Sequence, residues 1–159
     1  MDLSELPALL AAFASGPVWG AAVCLIKNLA QLPSSGSLYV GELCNFLLGV
    51  AMVLPAGLIY RRRRSKSGAL LACAAGAVTM ALLSYPVNYF ISYPIYCRLF
   101  GGEAAVLGAY QAILPSMPSL AACLAVFNIP FTLVKAVLVS ALTFLLYKPL
   151  SPLMKGRAG

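Results

Sequence analysis

Residues 43–60 read LCNFLLGVAMVLPAGLIY, residues 61–66 read RRRRSK, and residues 67–97 read SGALLACAAGAVTMALLSYPVNYFISYPIYC. Two runs without a charge thus flank a block of five positive charges. An α-helix needs roughly 20 apolar residues to cross a bilayer core of ~30 Å, so each run is long enough to span one. Two further uncharged runs, residues 6–26 and 104–134, extend the pattern over most of the chain. Of 159 residues, 62% are hydrophobic and 9% are charged, against about 25% charged in soluble domains. The expected fold is all-α: a single polytopic transmembrane helix bundle over residues 1–159.

The net charge of +7 is explained by position. Arg61–Arg64 and Lys66 form one block, and Lys148, Lys155 and Arg157 form another near the C-terminus. Cytoplasmic loops collect Lys and Arg in this way. The basic balance therefore marks a membrane side, and no nucleic-acid partner is implied.

With both blocks cytoplasmic, an even number of crossings must separate them. Residues 67–97 supply the first and residues 129–147 the last. Between them, Gly101-Gly102, Pro115, Pro118 and Pro130 break regular helix. Residues 98–128 therefore read as an external connection carrying one or two short helices. Before Arg61, the run from Tyr39 to Tyr60 passes from outside to inside. Gly16-Pro17 divides the earliest run, and Pro17 suits the first position of a new helix because its missing N–H costs nothing there. A hairpin of residues 3–15 and 17–32 follows, with Met1 outside. The total is about five membrane helices.

Composition removes much chemistry. There is no His, and only four carboxylates, Asp2, Glu5, Glu42 and Glu103. Five cysteines include no Cys-x-x-Cys pair, and no Gly-x-x-x-x-Gly-Lys-Ser/Thr phosphate loop is present. No metal, cofactor or catalytic centre is expected.

Polar residues within the apolar runs are the functional candidates. Lys135 lies in the last run, where a charge costs at least ~2.5 kcal/mol near the bilayer centre and so should face protein, water or ligand. Thr132 stands about one turn before it, on the same face. Asn88 sits among Tyr85, Tyr89 and Tyr93, and Glu42 and Asn45 share a helix start. The topology gathers Asn45, Asn88, Thr132 and Lys135 on the outer half. Amides, a hydroxyl, one cation and tyrosine walls suit a neutral or anionic, partly aromatic small molecule. A second feature is the small-residue spacing of Gly68, Ala72 and Gly76, which suits either packing within the chain or a docking face for a membrane partner.

Ordered blocks along the chain carry a resemblance. They are Asp2-Leu-Ser-Glu-Leu-Pro-Ala-Leu-Leu, Gly16-Pro17, Ile26-Lys27-Asn28-Leu29, Gly41-Glu42-Leu43-Cys44-Asn45-Phe46, and Leu54 through Arg63. Asn88-Tyr89-Phe90, Pro130-Phe131-Thr132-Leu133-Val134-Lys135 and Thr143 through Lys148 complete the series. The series resembles the substrate-binding S components of energy-coupling-factor (ECF) vitamin transporters, specifically the riboflavin-type group. The resemblance implies a multi-pass subunit of the bacterial plasma membrane that binds a vitamin in a pocket open to the outside. Its implied partners are a transmembrane coupling protein, a pair of ABC ATPases and membrane lipid, with ATP hydrolysis left to the ATPases. No cofactor is implied beyond riboflavin or a related flavin as transported ligand. The candidate substrate-binding residues are Lys135, Thr132, Asn88, Asn45, Glu42 and Tyr85.

Two departures bear on these expectations. The family has six helices, with one more before the Asp2 block, so the first is expected to be absent. The family's Asn in the Asn-x-x-Lys pair of the last helix is Thr132 here, which points to a related vitamin or a weaker flavin contact. Two other classes stay open on the residues alone. One is a non-catalytic membrane scaffold. The other is a small membrane enzyme, for which Glu42 beside Lys27 is the one plausible acid–base pair.

Overall fold

The computed structural model describes residues 4–34 and 39–156; Asp2, Leu3 and Arg157 lie outside the described residues. The chain forms helices α1 (Glu5–Ser15), α2 (Pro17–Gln31), α3 (Val40–Arg62) and α4 (Lys66–Val87). Then come α5 (Tyr93–Leu99), α6 (Glu103–Gln111), α7 (Leu120–Cys123) and α8 (Ile129–Gly156), with no strand among the described residues. Five-residue π-helical turns, Asn88–Ser92 and Leu124–Asn128, join α4 to α5 and α7 to α8.

Among the described residues, three helices are long and apolar enough to cross a membrane: Val40–Arg62, Lys66–Leu99 and Leu120–Leu150. The hairpin expected at Gly16-Pro17 is present. Gly16 adopts φ 107°, a conformation that L side chains rarely take, and Pro17 opens α2. Its two arms are shorter than a full crossing. At 1.5 Å per residue, the 11 residues of α1 span about 17 Å and the 15 of α2 about 23 Å.

The hairpin turn and the arginine block share one end of the bundle, where Ser15, Gly16, Arg61 and Arg64 line a common concavity. Below it, Phe13 packs on Tyr60 with ring centroids 4.5 Å apart, and the buried Tyr60 hydroxyl donates to that of Tyr147 at 2.8 Å. By the positive-inside rule this end is cytoplasmic. Glu5 and Lys27, at the far ends of the two arms, accordingly point to the outer half.

Ser65 starts α4 as an N-cap, its hydroxyl accepting from the Gly68 N–H at 3.0 Å. The small-residue stripe packs within the chain, against α3. A Cβ on Gly76 would stand 2.6 Å from the Met52 carbonyl oxygen, so only glycine permits this approach. Ala69, Ala72, Cys73, Ala77 and Met80 are buried beside it and join the core with Met52, Val53 and Ala56.

The external connection is shorter than residues 98–128. Its only helix of more than one turn is α6, and the last spanning helix already begins at Leu120. Pro130 therefore lies inside a continuous helix, not at a break. The reason is the π turn. A proline leaves the carbonyl four residues back without its helical donor. For Pro130 that carbonyl belongs to Val126, inside the turn Leu124–Asn128; for Pro94 it belongs to Phe90, inside Asn88–Ser92. In both places the wider turn absorbs the lost bond and the helix continues. The same helix also runs past Pro149 to Gly156.

Candidate functional site

A cavity of about 300 Å³ opens between three elements. From α3 it takes Gly41, Cys44, Asn45 and Leu48, and from the last spanning helix Asn128, Phe131, Thr132 and Lys135. Each set follows the i, i+3, i+4, i+7 spacing of one helical face. Met80, Asn88, Ser92 and Tyr96 close the third side. Four residues expected to meet, Asn45, Asn88, Thr132 and Lys135, thus line one cavity.

The π turn orients the amide side. Asn88 Nδ2 donates to the Ser84 carbonyl at 2.7 Å, and Ser92 Oγ donates to Asn88 Oδ1 at 3.1 Å. Ser92 is also 3.0 Å from the Cys44 Sγ, tying the turn to α3. A wider concavity of about 700 Å³ shares Asn88, Ser92, Tyr96 and Asn128 with the first. Its remaining wall is aromatic and aliphatic: Tyr93, Leu99, Phe100, Val106 and Tyr110. Helices α5 and α6 form that wall together, tied by a hydrogen bond between the Tyr93 and Tyr110 hydroxyls. The two spaces together offer a polar inner end with a cation and an aromatic outer end.

Two expected residues do not reach this cavity. Glu42 follows Gly41 on α3, about 100° further around the helix. It lines a separate apolar groove with Leu25, Asn28, Leu29 and Phe46. Tyr85 stacks on Tyr89 at 6.0 Å, with rings nearly parallel, and packs against the cluster of Tyr93, Leu120 and Leu124. The pairing of Lys27 with Glu42 is also replaced. Lys27 Nζ lies 2.8 Å from Glu5 Oε1, because α1 packs along α2 and brings its first residue opposite Lys27.

Glu5 is the residue that sequence reasoning passed over. It is 0% exposed, and its Oε1 accepts from both Lys27 and Lys135, the latter at 3.1 Å. A separation of 130 residues hides this contact from any local pattern. The available signal was scarcity: buried lysines need an acid, and the chain has four. Asn128 and Ser92 were also missed as cavity residues. Asn128 stands two turns before Lys135 on the same face, a spacing that could have found it.

Among known families, the model for the ECF transporter substrate-specific component matches residues 1–147. The chain belongs to this family. The S component is 31% identical over 155 residues to riboflavin transporter RibU of Staphylococcus aureus (strain TCH60), covering 98% of the chain and 76% of that protein. Riboflavin transporter FmnP of Bacillus subtilis (strain 168) is 26% identical over 156 residues, covering 96% of the chain and 76% of FmnP. A solved structure described as "Structure and mechanism of the S component of a bacterial ECF transporter" superposes with a TM-score of 0.74 at 30% identity. That match covers 98% of this chain and 79% of the other. The S component is therefore the substrate-specific membrane subunit of a transporter and not an enzyme. Its cavity, at the end opposite the arginine block, is on the outer half.

Proposed function

We propose that this S component binds riboflavin or a closely related flavin in the outer cavity and delivers it inward together with a transmembrane coupling protein and a pair of ABC ATPases. The observation that carries the reading is the convergence of Asn45, Asn88, Thr132 and Lys135 on one cavity continuous with a tyrosine-walled space. A flavin has the matching division. Its pyrimidine-dione edge offers carbonyl acceptors and an N–H donor, its ring system offers a flat apolar body, and its ribityl chain offers hydroxyls. Similarity to two riboflavin transporters supports the same ligand.

In this reading Lys135 donates to a carbonyl of the dione edge, and Asn88 and Asn45 supply amide contacts. Thr132 gives a single hydroxyl in place of an amide's paired donor and acceptor. That substitution favours a second ligand within the same class, a flavin analogue or precursor whose edge needs one hydrogen bond fewer. Tyr96 and Phe100 stand where an aromatic ring system would stack.

The test is titration of purified protein with riboflavin, read by the flavin's own fluorescence, which stacking quenches. Trp19 is 62% exposed near the hairpin turn and distant from the cavity, so its emission is the poorer reporter. Saturable quenching at one site per chain is expected. Unquenched flavin throughout the titration would remove the assignment.

A further inference from the structure

Lys135 is one of two lysines that share a single carboxylate oxygen. Lys27 Nζ lies 2.8 Å from Glu5 Oε1 and 2.7 Å from Ser4 Oγ, and Lys135 Nζ lies 3.1 Å from the same Oε1. The lysine side chains are 10% and 8% exposed, and the glutamate side chain 0%. Two ammonium groups on one carboxylate leave a net charge of +1 in a site with little water to screen it.

The two lysines are placed differently. Lys135 lines the cavity; Lys27 does not. An ammonium carries three donors, and Glu5 is the only hydrogen-bond partner of Lys135 among the described residues. Lys27 holds Glu5 by the shorter of the two contacts and is anchored by Ser4 as well.

We propose that Lys27 is a positioning residue for ligand binding: by neutralising Glu5, it leaves the charge and remaining donors of Lys135 available to an acceptor in the cavity. With Lys27 absent, Glu5 and Lys135 would close as a neutral one-to-one pair. A ligand would then compete with a buried ion pair for the lysine, and breaking such a pair is costly. With Lys27 present, the carboxylate stays compensated when Lys135 turns toward the ligand. The site therefore selects ligands with an electron-rich acceptor edge, such as an imide or dione carbonyl. This inference rests on the flavin reading given above.

The experiment measures riboflavin dissociation constants and thermal unfolding in detergent for the full chain and for K27M, K27R, E5Q and E5Q/K27M. K27M should weaken riboflavin binding by about tenfold, the scale of one charge-assisted hydrogen bond. K27R, which keeps the charge, should restore most of it. Once Glu5 is replaced there is no carboxylate for Lys27 to hold. Adding K27M to E5Q should therefore change affinity by less than about twofold, a non-additive pattern that loss of packing alone does not produce. If K27M does not fold, the comparison of E5Q with E5Q/K27M decides. A tenfold loss between those two, or unchanged affinity in folded K27M, overturns the positioning role and leaves the flavin reading standing. No riboflavin binding by the unsubstituted chain overturns both.

Discussion

At the residue scale, the membrane interior makes Glu5 the hinge of the outer half. A buried carboxylate with one oxygen on two lysines, and its Oε2 without a partner among the described residues, keeps one compensating cation when the other is removed. Removing its own charge is a different matter, because E5Q strands two ammonium groups close together. We expect E5Q to lower unfolding stability by about 3 kcal/mol, within the range for breaking a buried ion pair, as measured by thermal unfolding in detergent. Replacing Lys135 should be gentler on the fold, since Lys27 continues to compensate Glu5. Thr132→Asn restores an amide beside Lys135 and should tighten riboflavin binding roughly fivefold, the equivalent of about one net hydrogen bond, in a fluorescence titration. Four cavity residues were legible from their polarity inside apolar runs. Glu42 and Tyr85 were not separable from them by sequence, because one position on a helix turns a side chain by about 100° and decides which groove it enters.

At the scale of the elements, prolines explain both what could be read and what could not. Gly16-Pro17 announced a turn and is one, because Gly16 takes a positive φ that only glycine adopts easily. Gly16→Ala should destabilise by about 1–2 kcal/mol through the backbone alone, since nothing lies within 4 Å of the added methyl. Pro130 carried the same breaker signal, yet the helix continues through it, as the earlier spanning helix does through Pro94. Five-residue π turns widen the backbone there, and those turns carry Asn88, Ser92 and Asn128 to the cavity. A lone proline does not reveal whether the chain will stop or widen; packing of the neighbouring helices settles it. The small-residue stripe was legible as a packing mark, and its partner proved to be α3. Gly76→Leu would drive a side chain into the Met52 carbonyl and should cost about 2 kcal/mol or more, read as a lowered unfolding temperature with riboflavin affinity of the folded fraction retained.

At the scale of the whole molecule, charge sorts the ends. Arginines gather beside the hairpin turn, and the polar cavity opens at the opposite end, so orientation and site location follow from one distribution. That much was readable from spacing and the positive-inside rule. The length of each arm was not, because α1 and α2 are held by packing against α3 and α8 and need not reach across the bilayer singly. In the proposed reading, the outer cavity holds a flavin through Lys135. The most direct measurement is the riboflavin dissociation constant of the purified chain beside that of Lys135→Ala, both read by flavin fluorescence with folding checked by thermal unfolding. Saturable binding by the unsubstituted chain, weakened at least about tenfold in a folded Lys135→Ala protein, is the predicted result. Equal affinity in the two proteins would contradict the account.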